Sequence, residues 1–134
     1  MNAVPARVAV TAARTPAPAS DATVLSRAVV RAARLLGLPQ RGVAAVLGVS
    51  EATASRLFAG KYLLAREHAK EWELAVLFVR MFRSLDALWG HEESARQWLG
   101  SPNLALGGRP AELMHSVEGM VRVVAYLDAA RGRL

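Results

Sequence analysis

Apolar residues recur through most of the chain at spacings of three and four, the period of helices that bury one face. The stretch Glu67–Trp89, EHAKEWELAVLFVRMFRSLDALW, departs from that stripe pattern. It holds no Gly or Pro, opens with Glu67, Glu71 and Glu73, and carries Arg80 and Arg83 further on, as a helix dipole favours. Its middle, Leu74 to Val79, is apolar on every side, which predicts a helix about 30 Å long that its surroundings cover. The apolar run falls far short of the roughly 20 residues a bilayer needs, and Arg80 ends it, so no membrane partner is expected. The pattern as a whole predicts an all-α fold, with one helical lobe before a long apolar central helix and another after it.

Before that helix, Ser20 or Asp21 predicts an N-cap. Val24, Leu25, Ala28, Val29, Ala32 and Leu35 make one face of a helix from Ala22 to Leu36, with Arg27, Arg31 and Arg34 opposite and Gly37 at its end. Residues 38–61, LPQRGVAAVLGVSEATASRLFAGK, predict two short helices. Pro39 sits in the first turn of one that runs to Leu47, and Gly48 supplies a tight left-handed turn. Ser50 caps the second, from Glu51 to Ala59, and Gly60 closes it. Ala44, Leu47, Val49, Ala54 and Leu57 face inward, and the small Ala44 allows a close crossing. That combination describes a helix-turn-helix.

After the central helix, Gly90 is a break, and Glu92 to Leu99 predicts a short helix with Ala95, Trp98 and Leu99 on one face. Gly100 to Arg109 reads as a loop, pinned to the core through Leu104 and Leu106. Pro110 starts a single turn to Met114. Ser116 caps a last helix from Val117 to Arg131, with Met120, Val121, Val124 and Leu127 buried. The domain organisation expected is an Ala/Pro-rich flexible arm over residues 1–19, a helix-turn-helix lobe over 20–66, and the central helix with a second lobe over 67–134. In the arm, Val8–Val10 forms at most a short extended piece, and the apolar run between Arg7 and Arg14 is too short for a secretory signal.

Composition narrows the function. Hydrophobic residues at 53% exclude a largely disordered chain, and aromatics at 6% leave the core to Ala, Val and Leu. The absence of cysteine excludes disulfide frameworks, cysteine zinc sites and thiol catalysis, and fits a cytoplasmic protein. The net charge of +6 is uneven: residues 1–66 carry +7 and residues 67–134 carry −1. A basic first half points to a polyanion, and to operator DNA in particular once a helix-turn-helix is in hand. Its second helix would offer Glu51, Ala52, Thr53, Ser55 and Arg56 to base edges in a major groove. Arg56 can fork onto guanine, while Ala52 or the Thr53 methyl can meet a thymine methyl. Gln40, Arg41, Ser50 and Lys61 are placed for phosphates. No catalytic set stands out, and no cofactor or metal is expected. Gly107-Gly108 lacks the Lys-Ser/Thr of a phosphate loop, and His68, His91 and His115 have no paired ligand spacing.

Residues 38–61 resemble the Xre-type, Cro-like helix-turn-helix in Gly48-Val49-Ser50, Thr53 and Ser55-Arg56. Ala95, Trp98-Leu99, Pro102-Asn103, Leu106-Gly107-Gly108, Pro110, Gly119, Leu127 and Gly132 resemble the C-terminal toxin-binding domain of Xre/ParS-type antitoxins. The chain departs from these relatives in its long leader and in a reading helix of little positive charge. The resemblance implies a cognate RES-domain toxin, which degrades NAD, as partner. It also implies a second half that blocks the toxin's active site and a first half that, as a dimer, represses its own operon. Trp98, Asn103, Leu106, Gly107, Gly108, Arg109 and Pro110 are the toxin-binding candidates. Arg131, Gly132, Arg133 and Leu134 join them as a charged end able to enter a nucleotide cleft, where Arg pairs with acids and a carboxylate stands in for phosphate. Trp72, Phe78, Met81, Phe82 and Trp89 exceed what so small a lobe is expected to bury, and predict a homodimer interface. The alternative is a stand-alone helix-turn-helix transcription regulator whose second half dimerises or senses a ligand; an enzyme is the least favoured class.

Overall fold

A computed structural model describes residues 20–133. Among them the secondary structure is helical: α1 (Asp21–Leu35), α2 (Gln40–Leu47), α3 (Glu51–Phe58), α4 (Ala69–Trp89), α5 (Glu93–Gly100), α6 (Pro110–Leu113) and α7 (Val117–Arg131). One isolated bridge, Asn103 to Gly108, closes the loop between α5 and α6. The arm over residues 1–19, with the extended piece expected at Val8–Val10, and Leu134 lie outside the described residues.

The long helix α4 is the member on which the others assemble. It packs most extensively on α7 and also on α1, α2 and α5. Phe78, Met81 and Leu85 of α4 are fully enclosed and share one core with Val29, Val43 and Leu47 from the first half and Met114, Met120, Val123 and Leu127 from the second. Burying a side chain of that size stabilises the fold by about 1.5–3 kcal/mol. The two halves are therefore fused through a common interior.

The central helix is not apolar all round. Val76 is 45% exposed, in line with the exposed Glu73, Arg80 and Arg83 at helical spacing. The expectation that the whole middle segment is covered is corrected to a broad buried face and one solvent stripe. Two smaller corrections have the same kind of cause. On α1 the buried positions are Ser26, Val29, Ala32 and Ala33, continued by Leu36, while Val24 stands exposed. The face is rotated because buried Ser26 accepts a hydrogen bond from the Leu64 backbone N–H at 2.9 Å. On α7, Val123 is buried and Val121 exposed.

A polar latch ties α4 to α7. Asp128 pairs with Arg80 and accepts from the Ser84 hydroxyl at 3.3 Å, and Arg131 donates to that hydroxyl at 3.2 Å. Arg96 of α5 forks onto the Leu35 carbonyl at 2.9 and 3.2 Å, satisfying the open C-terminal end of α1. None of the described helices is long and apolar enough to cross a membrane.

Candidate functional site

The first candidate surface is built by α2 and α3. Gly48 follows α2 at φ 71°, a backbone that side-chain-bearing residues rarely adopt, and this sets the turn. Ser50 caps α3: its hydroxyl accepts from Thr53 N–H at 3.0 Å and donates to the Thr53 hydroxyl at 3.0 Å. Glu51 lies in the first turn, where a carboxylate suits the positive end of the helix dipole. Ala44, Leu47, Ala54 and Leu57 are buried between the helices, as the pattern predicts. Glu51, Ala52, Ser55 and Arg56 are exposed on α3, with Thr53 half-buried. Gln40, Arg41, Ser50 and Lys61 are exposed around them. Arg56 leans back onto the Thr53 hydroxyl at 3.3 Å, so it must swing out to reach a base edge.

The second surface is the loop between α5 and α6 with the aromatic residues beside it. Asn103 organises the loop. Its backbone N–H donates to the Gly108 carbonyl at 3.0 Å, its carbonyl accepts from Gly107 at 2.8 Å, and its side chain accepts from Leu106 N–H at 3.0 Å. Gly107 takes φ 80°. Arg109 donates back to the Gly100 carbonyl at 3.1 Å, and Arg122 of α7 holds the Leu106 carbonyl at 2.7 Å. Leu106 and Pro110 are sunk in the interior. These two of the toxin-binding candidates shape the loop from below, where an apolar side chain completes the core. The Asn103 side-chain carbonyl accepts within the loop, and Arg109 ties the loop to the last residue of α5. Leu104, expected to pin the loop beside Leu106, points away instead and is 102% exposed.

Trp98 stacks between Trp89, with ring centroids 5.6 Å apart, and Tyr126, at 5.9 Å. The structure thus joins one residue assigned to self-association, Trp89, to one assigned to a partner, Trp98. Phe78 and Met81, assigned to self-association, are fully buried in the core shared by both halves. Trp72 lies half-buried under the Arg66 guanidinium, 4.7 Å from the ring centroid, and Phe82 is half-buried near His91. At the end of α7, Arg131 is held on Ser84, while Gly132 and Arg133 are exposed. His91 pairs with Asp86 at 2.8 Å and His68 with Glu71 at 3.7 Å; among the described residues no group of three or more such side chains could hold a metal ion.

Two family models match the chain, in order and with little left over. The antitoxin Xre-like helix-turn-helix domain matches residues 15–80, and the antitoxin Xre/MbcA/ParS C-terminal toxin-binding domain matches residues 84–133. The chain belongs to the Xre/ParS-type antitoxins. A comparison with curated protein sequences finds no significant match. In this antitoxin the two matches meet inside α4, so the central helix backs the reading motif with its first turns and the toxin-binding domain with its last. Leu104 is the feature of the antitoxin's loop that the pattern placed on the wrong side. The signal was present as a large apolar residue between loop-forming neighbours, but hydropathy alone cannot tell an anchor to the core from one aimed at solvent.

Proposed function

We propose that the antitoxin binds a cognate RES-domain, NAD-degrading toxin through residues 84–133, blocks its active site, and as a homodimer represses its own operon through α2 and α3. Support comes from the order and folding of the two matched domains on one core, with an exposed α3 on the first and a rigid loop on the second. Arg56, Ser55 and Ala52 face the major groove; Gln40, Arg41, Ser50 and Lys61 hold phosphates. Arg131, Gly132, Arg133 and Leu134 enter the toxin's nucleotide cleft, where the guanidiniums pair with acidic residues.

Co-expression of the neighbouring gene with and without the antitoxin tests the first activity. Growth arrest and NAD loss from the neighbour alone, both relieved by the antitoxin, are expected; a harmless neighbour refutes the toxin assignment. A gel shift on the antitoxin's own promoter tests the second. A shift that weakens with salt and with Arg56→Ala is expected, and no shift at low salt refutes repression. Removing Gly132 to Leu134 tests the plug: full protection by the truncated chain refutes it.

A further inference from the structure

Leu104 is 102% exposed, whereas Trp89, Val117 and Val121, the other exposed large hydrophobics within residues 84–133, range from 42% to 49%. Trp89 at least stacks on Trp98. None of the described residues buries Leu104. The backbone beneath it is nevertheless fixed, by the Asn103–Gly108 bridge, the Leu106 N–H on the Asn103 side chain, and the Arg122 and Arg109 guanidiniums on the Leu106 and Gly100 carbonyls. Leu106, two residues on, anchors the same turn in the core. A lone apolar side chain raised on an already ordered scaffold loses little further entropy on docking, which is the geometry of an interface anchor.

From this geometry we infer that Leu104 is the apolar anchor that seats the antitoxin's C-terminal domain in a hydrophobic socket of its toxin. This rests on the proposed toxin partnership, and the occupant is chosen because the loop lies wholly inside the toxin-binding match. The leucine gives grip and register, and the residues from Arg131 onward give blockage. The side chain is fully exposed among the described residues, so changing it leaves the described fold intact.

The test is calorimetric titration of purified full-length antitoxin, wild type, Leu104→Ala and Leu104→Asp, into the purified product of the neighbouring toxin gene. Leu104→Ala is expected to weaken binding about tenfold, equivalent to about 1.4 kcal/mol. Leu104→Asp is expected to weaken it by about a hundredfold or more, because a carboxylate cannot enter an apolar socket unpaired. Both variants should match wild type in helical content and thermal midpoint. Equal affinity of all three overturns the inference and leaves the toxin partnership standing. Loss of a wild-type dimer in Leu104→Asp, with toxin affinity intact, also overturns it and assigns the leucine to a second copy. Failure of the wild type itself to bind overturns the partnership and the inference together.

Discussion

Gly119→Ala sets two effects of opposite sign against each other. Gly119 lies in the first turn of α7, where helix propensity alone favours alanine by about 1 kcal/mol. A Cβ there would lie 1.8 Å from the Leu113 carbonyl oxygen and 2.7 Å from its carbon, against an ordinary carbon–oxygen approach of about 3.3 Å. Backbone atoms must therefore part by about 1.5 Å, dragging α6 away from α7. Such overpacking costs about 3 kcal/mol, the upper part of its usual range. The Ser116 cap, whose hydroxyl accepts from the Gly119 N–H at 3.0 Å, is lost with it and costs about 1 kcal/mol more. The clash wins, and the net destabilisation is about 3 kcal/mol. Urea unfolding should show a lower midpoint at similar slope, and thermal unfolding a midpoint lower by about 10 °C. A variant as stable as wild type, or more so, refutes the close approach of α6 to α7.

Ser50→Ala removes the cap of α3 and should cost about 1 kcal/mol, read by urea unfolding, while weakening the promoter shift by disordering the reading turn; unchanged stability would show that the cap contributes nothing. Partial burial, then the hydrogen bond to Glu71 at 2.7 Å, raises the Tyr62 hydroxyl above its ordinary value of 10.0. A group with a raised folded pKa contributes stability that is fully present below its unfolded pKa and lost as pH rises through the folded one. The stability advantage of wild type over Tyr62→Phe should therefore hold at neutral pH and shrink above about pH 10; a constant difference would refute it. Asp128→Ala frees Arg80 and the Ser84 hydroxyl, the acceptor on which Arg131 is held, and should cost about 1 kcal/mol, with faster amide exchange over the last turn of α7; unchanged exchange would show that the latch does not order that end.

The helix-turn-helix was legible because its determinants are local. Gly48, Ser50 and Gly60 each set a backbone conformation or a cap within a few residues, and α2 and α3 lie where the pattern puts them, to within a residue. The orientation of longer helices was less legible, since it depends on partners distant in sequence. Ser26 and Ser84 are polar by type yet buried, because Leu64 N–H, Asp128 and Arg131 come to meet them. Hydropathy places such residues outside, and the predicted face of α1 turned accordingly. Phe78 and Met81 show the reverse. Against half a chain they are surplus apolar surface, but α4 is wrapped by both halves, which enclose them. In the α5–α6 loop, Leu104 and Leu106 are alike in sequence and opposite in fate; Asn103 fixes which one turns inward.

The most direct test of antitoxin action is NAD turnover by the purified toxin proposed above, with full-length antitoxin added in increasing amount. The proposed blockage predicts that NAD loss falls to background once the toxin is saturated. Continued NAD loss at saturation, with complex formation verified in the same sample, would contradict it.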